Sequence, residues 1–375
     1  MTIGVQKIHI PVAAPVIGER EVEYVTDAVR SGWVSSIGGY VDRFEREFAS
    51  FVGTRHAIAV ANGSVALHLA LHTLGIGPGD EVVVPDLTFA ATAHAVLLAG
   101  ATPVFADVDP QTWCLDPRAF DRAIGPRTRA VIPVHLYGHP ADMHAITALA
   151  APRGILVVED AAEAHGARIG GVRVGGIGKV GAFSFYGNKL ITTGEGGMLT
   201  TDDTDLASRM RHLKNQGIVR ERHYFHKEIA FNYAMTNLQA ALGVAQMQRI
   251  DALIARKREI FSWYAERLDG RVGLNAQRDG CQSVYWMICA VLCALHSSAR
   301  DALQERLREA GIDTRPFFVP MSQLPHLRSY RAVGVVGDQC TIAGDVSVRG
   351  FNLPSGCGLE RADVDYVCDT LIGML

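Results

Sequence analysis

The chain has 375 residues, 48% of them hydrophobic, with 36 Lys and Arg against 39 Asp and Glu. That length and apolar content allow a sizeable core and about two domains. The net charge of −3, without any long like-charged block, gives no footing for nucleic acid or an anionic membrane as partner.

The start of the chain, residues 1–11, lacks the apolar core of a signal peptide. Two uncharged stretches invite a test as membrane spans. Residues 88–106 are broken by Gly100 and Pro103, and the apolar centre of 281–299 is shorter than the roughly 20 residues a span needs. The cysteines at 114, 281, 289, 293, 340, 357 and 368 form no CxxC pair and read as reduced core residues. A cytoplasmic protein is expected.

Apolar strand-like runs occur at 57–61, 81–85, 102–108, 130–135 and 155–160. Helical patterns fall between them at 64–74, 88–98, 117–123 and 142–151, with Gly and Pro at the joints. This alternation predicts a mainly parallel sheet covered on both faces. Further along, strands are predicted at 182–186 and 196–201 and a helix at 203–214, capped by Asp202 or Asp203. A long helix should run from 237 to about 268 and lead into a second unit. That unit carries a strand run at 284–295, a charged helix at 300–310 and a closing helix from 360. The boundary is expected near 250, giving a large unit 1–250 and a small α+β unit 251–375.

The chemistry concentrates around Lys189, in Phe183-Ser-Phe-Tyr-Gly-Asn-Lys189-Leu-Ile-Thr-Thr-Gly-Glu-Gly-Gly197. An amine at the mouth of a sheet, next to a glycine cluster, can attack an aldehyde on a closely approaching phosphorylated ring. The strand 155–160 ends on Asp160, a carboxylate able to hold a ring nitrogen protonated. Both suit pyridoxal 5'-phosphate (PLP) bound to Lys189 as a Schiff base. Asn62-Gly63-Ser64, at a strand-to-helix junction, offers free N–H groups and a hydroxyl to a phosphate, though it reads equally well as a plain helix cap. Ser184 adds a second hydroxyl. Phe89 could stack on the ring or serve only as core.

Other motifs fail on context. Gly176-Ile-Gly178-Lys-Val-Gly181 matches GxGxxG, but a strand follows it where a dinucleotide fold needs a helix. His135, His139 and His144 straddle a Gly-His-Pro turn and lack metal-ligand spacing, so no metal is expected.

With Asp160, Ser184, Lys189 and Gly194-Glu-Gly-Gly197 in place, the chain resembles the DegT/DnrJ/EryC1/StrS sugar aminotransferases nearly end to end. The likeness also rests on Asn62-Gly-Ser64, Thr88-Phe89, the run 100–109 and Glu159-Asp-Ala-Ala-Glu-Ala-His-Gly166. It implies a fold-type I PLP enzyme whose large domain holds a mainly parallel seven-stranded sheet, acting as a homodimer with shared active sites. It implies that Asn232 reaches the partner subunit's cofactor phosphate and that Glu163 contacts the ring hydroxyl where many relatives have glutamine. Three stretches, 186–197, 224–226 and 284–287, further resemble the branch that aminates C4 of GDP-4-keto-6-deoxy-D-mannose with glutamate as donor. His226 and Arg315 are candidate diphosphate or sugar contacts, and each reads equally well as a structural surface residue. Phe231 and Ala234 replace the glycine and arginine usual in the family. Another keto-sugar nucleotide, a keto-cyclitol, or a non-catalytic PLP-binding regulator are the alternatives.

Overall fold

A central sheet of eight strands organises the computed structural model, which describes residues 9–219, 222, 224–293 and 297–375. In chain order the strands are β1 His56–Val60, β2 Glu81–Pro85, β3 Thr102–Ala106, β4 Thr128–Val131, β5 Leu156–Asp160, β6 Val180–Ser184, β7 Gly197–Thr201 and β8 Ala332–Val333. Their spatial order is β1-β7-β6-β5-β4-β2-β3-β8. β7 alone runs opposite to the other seven, antiparallel to both β1 and β6. The seven expected strands are thus joined by β8, whose two residues pair with Phe105 and Ala106. Two residues leave no periodicity to read. The strands read as near-continuous apolar runs because helices cover both faces, and every residue of β2 and β6 is buried.

Helix boundaries depart from expectation at two places. The helix predicted from 88 begins at Ala91, after bends and a turn over 86–90, where Asp86 accepts hydrogen bonds from the Ser322 backbone N–H (2.7 Å) and hydroxyl (2.8 Å). The long helix from 237 is two helices, Asn237–Met247 and Ile250–Leu268. Between them Arg249 leaves helical geometry (φ −124°, ψ 10°) while its guanidinium reaches the Val16 carbonyl at 3.2 Å. The helix after 201 is capped by Asp203, whose carboxylate accepts from the N–H groups of Asp205 and Leu206 at 3.0 Å each.

Beyond residue 250 the chain divides between two cores. A four-stranded antiparallel sheet (residues 273–274, 288–291, 350–353 and 315–316) packs with Ile260, Tyr264, Leu268, Val364 and Val367 into a core of its own. Phe317, Val333, Ala343 and Val346 return to the core of the main sheet. The strand predicted over 284–295 shortens to Ile288–Val291, because 284–287 form a loop beside Gly138 with Tyr285 at φ 48°; residues 294 and 295 of that prediction, like 1–8 of the predicted N-terminal segment, lie outside the described residues. All seven cysteines are free. Among the described residues no helix is long and apolar enough to cross a membrane.

One buried carboxylate fastens the centre of the sheet. Glu159, fully buried on β5, accepts from the N–H groups of Gly175 (2.7 Å), Ile177 (2.7 Å) and Gly178 (2.6 Å). His135 Nε2 lies 3.0 Å away, and the Ala141 N–H donates to Nδ1, which leaves Nε2–H to donate to Glu159. The glycine run that mimics a dinucleotide fingerprint therefore wraps a carboxylate of the protein itself. Burial pushes the Glu159 pKa up, but His135 and the backbone N–H groups outweigh it and hold the carboxyl below its usual range. A group depressed in the folded state contributes stability above its unfolded pKa, lost as pH falls through the folded value. Glu159→Gln should cost about 1–3 kcal/mol at neutral pH for each backbone donor it leaves unpaired. It should also flatten the acid limb of stability against pH, as read by denaturant melts across pH.

Candidate active site

The carboxyl ends of β1, β2, β5 and β6 open on one cavity of about 490 Å³, the place where open α/β sheets hold ligands. At its floor, β1 turns into the helix Gly63–Thr73. Asn62 caps that helix by accepting from the Val65 N–H at 2.9 Å, so the N–H groups of the first turn point outward with the dipole's positive end. Close approach is built in. A Cβ on Gly63 would come within 2.8 Å of Ser184 Cβ, and one on Gly197 within 2.4 Å of the Asn62 carbonyl oxygen. Ser64 and Ser184 line this end, and the Asn62 cap leaves other first-turn N–H groups free to face it.

Lys189 follows a turn in which its N–H donates to the Tyr186 carbonyl at 2.9 Å, and its Nζ reaches into the cavity. Nζ stands 3.4 Å from Glu163 Oε1, while the Tyr137 N–H donates to Glu163 Oε2 at 2.8 Å. Asp160 accepts from the Thr92 hydroxyl at 2.8 Å and the Ala162 N–H at 3.2 Å, and Thr92 Oγ1 is 3.1 Å from Thr88 Oγ1. Burial pushes the pKa of both carboxyls up; Thr92, the Ala162 N–H and Lys189 only partly offset this at Asp160, and Lys189 and the Tyr137 N–H only partly at Glu163. Two buried carboxylates thus share one ammonium, and the pair is short of positive charge.

The opposite wall is aromatic. Phe89, 59% exposed, lies 5.8 Å from Phe318, which stacks on Tyr137 at 5.6 Å, and Trp286 also stacks on Tyr137 at 6.4 Å. Trp286 also carries the Lys189 ammonium 3.9 Å above its ring centre and donates from Nε1 to the Asn188 carbonyl at 2.8 Å. Thr92, Tyr137 and Trp286 were not among the predicted site residues. For Thr92 the signal exists: it stands four residues after Thr88 in the segment predicted as one helix, and the two hydroxyls do meet. Arg315, on the strand pair with Asn352, lines the cavity and is exposed.

His226 and Asn232 do not line this cavity. They sit on a hairpin-like excursion bridged by Asn215 to Asn232 and Ile218 to His226, and both are exposed. His226 Nδ1 is 2.8 Å from the Gln216 carbonyl oxygen. Phe231 stacks on Tyr233 at 4.7 Å, and Tyr233 OH meets His68 Nδ1 at 3.0 Å. In the positions of the family's glycine and arginine the chain therefore has an aromatic anchor and a small residue. Of the three histidines weighed as ligands, His135 serves Glu159, and His139 accepts from the Arg278 N–H at 3.2 Å. No group of three or more potential metal ligands gathers among the described residues.

A phosphorylated, cationic aromatic ring fits these residues. The glycine-lined helix N-terminus with Ser64 and Ser184 suits a phosphate. Asp160 answers a protonated ring nitrogen, Phe89 a ring face, and Lys189 an aldehyde carbon.

Comparison with known proteins agrees with the geometry. The profile of the DegT/DnrJ/EryC1/StrS aminotransferase family matches residues 15–372. The chain is 44% identical to the GDP-perosamine synthase of Caulobacter vibrioides, over 97% of each chain. It is 41% identical to the GDP-perosamine synthase of Escherichia coli O157:H7, over 97% of this chain and 98% of that one. Among solved structures, a putative sugar aminotransferase from Streptococcus pneumoniae in its PLP form superposes with a TM-score of 0.91 at 26% identity, covering 98% of each chain.

Proposed function

We propose that this chain, which belongs to the DegT/DnrJ/EryC1/StrS aminotransferase family, transfers an amino group from glutamate to C4 of GDP-4-keto-6-deoxy-D-mannose, giving GDP-perosamine. The observation that carries the reading is Lys189, its amine beside two buried carboxylates at the mouth of a cavity with a glycine-lined anion cradle. The substrate rests on relatives named GDP-perosamine synthase at 40–44% identity over nearly the whole chain.

The cofactor in this reading is PLP, which supplies an electron sink for the carbon that gains or loses the amino group. Gly63, Ser64 and Ser184 would hold its phosphate, Asp160 its ring nitrogen, Glu163 its ring hydroxyl and Phe89 its open face. Lys189 would anchor it, and its amine, already within reach of the cavity, would take up and return the proton that moves between the reacting carbons, as general acid–base work requires. Arg315 at the rim meets anionic substrate.

The same reading makes the protein a homodimer with shared sites. Val22, Val29, Trp33, Val34 and Ile37 form an exposed apolar stretch along the first helix and the loop after it. Asn232 and His226, unused by their own chain's cavity, serve the site of the second copy.

Incubation with glutamate and a panel of keto-sugar nucleotides, followed by mass spectrometry, tests the function. Amination of the GDP-linked 4-keto sugar is expected. Amination only of a sugar on another nucleotide, or of a keto-cyclitol, overturns the substrate, and no amination at all overturns the reaction. The shared site is tested by mixing: Lys189→Ala and Asn232→Ala homodimers should each be inactive or severely impaired, whereas their heterodimer should regain one competent site. Verified heterodimers without recovered activity would refute sharing.

A further inference from the structure

The helix Ile250–Leu268 buries a stripe made of Leu253, Ile254, Ile260, Tyr264 and Leu268, interrupted at its centre by Lys257. Lys257 is 3% exposed. A buried ammonium must fill three donors and would ordinarily seek a carboxylate. Lys257 instead donates to neutral oxygens: the Trp286 carbonyl at 2.7 Å, the Ser355 carbonyl, and Ser355 Oγ at 3.3 Å. Burial without a counter-ion draws its pKa down to about 8. For packing alone, an apolar side chain of similar volume would serve as well or better.

What the ammonium adds is a fixed carbonyl. Trp286 follows Tyr285, whose φ of 48° is unfavourable for a residue with a side chain, so this loop needs holding. The side chain of Trp286 meets the Lys189 turn twice, through the indole N–H on the Asn188 carbonyl at 2.8 Å and through the ring under Lys189 Nζ at 3.9 Å. Behind this turn lies a second void of about 10 Å³, lined by Lys257, Asn188, Lys189 and Gln246. Asn188 Oδ1 is buried without a partner. On that side the Asn188 side chain gives the turn that carries Lys189 no hydrogen bond through Oδ1, while the Trp286 indole supplies one to its backbone.

We propose that Lys257 is a positioning residue for Lys189, acting through Trp286: it grips the Trp286 backbone so that the indole holds the amine at the cavity. This rests on the reading of Lys189 as the catalytic amine. Lys257 itself touches neither substrate nor cofactor.

Lys257→Met, Trp286→Phe and the double variant test the relay. The single variants should fold and keep PLP through dialysis, yet lose roughly 10- to 100-fold in kcat, as small misplacements of a reacting group do. KM for glutamate should change little. The pH at which the bound cofactor's visible band titrates should move in the same direction in both, which a purely structural role would not produce. The double variant should be no worse than the poorer single, because the two residues act in series. Unchanged kcat in folded Lys257→Met, or losses that multiply in the double variant, would overturn the proposal. If Lys257→Met does not fold, Trp286→Phe decides, and unchanged kcat with an unmoved band overturns it. Lys189→Ala keeps the two readings apart: activity retained there defeats the assignment of Lys189, whereas an inactive Lys189→Ala beside a fully active Lys257→Met defeats only the relay.

Discussion

Asp160 and Glu163 are both buried at the mouth of the sheet, and between them the protein supplies one ammonium, Lys189. Charges out of water interact several-fold more strongly than exposed ones and tolerate imbalance poorly. Burial drives both carboxyls toward protonation, and the hydroxyl of Thr92 and the N–H groups of Ala162 and Tyr137 only partly reverse it. A site in this condition is electrostatically prepared for one more cation. In the proposed enzyme the protonated ring of PLP meets that need, which ties cofactor affinity and ring electronics to one carboxylate.

The rest of the fold can be read as support for that imbalance. Side chains alternate along β5, so Glu159 faces away from the cavity while Asp160 faces it. Glu159 spends its oxygens on His135 and the 175–178 loop, fixing the strand end that presents Asp160. On the other side the absence of side chains at Gly63 and Gly197 lets the helix N-terminus come close to β6 and β7. The C-terminal part closes the site with Trp286, Phe318 and Arg315, so the cavity exists only where both parts of the chain meet.

Much of this is legible in the sequence. Strand-ending Asp160, the Gly-Asn turn before Lys189 and the cap at Asn62 are local signals, each written in consecutive residues, and the structure brings all of them to one cavity. What escapes is what depends on distant pairing. β8 is two residues long and exists only because Phe105 and Ala106 offer an edge. The break between the helices at Arg249 answers Val16, far away in the chain, and no Gly or Pro announces it. Trp286 sits in an apolar run that reads as strand, and only the fold turns its ring under Lys189. Lys257 is an intermediate case: a lysine in the middle of an apolar helical stripe is visible in the pattern, but its acceptors are not. His226 and Asn232 lie outside the cavity of their own chain.

The central claim is that a cationic ring completes the charge of the Asp160–Glu163–Lys189 cluster. It is tested most directly by loading the protein with PLP labelled with ¹⁵N at the ring nitrogen and recording that nitrogen's chemical shift across neutral pH. The account predicts a protonated ring nitrogen in the native protein and loss of that protonation in Asp160→Asn. A ring nitrogen that is unprotonated in the native protein, or equally protonated in the variant, would contradict it.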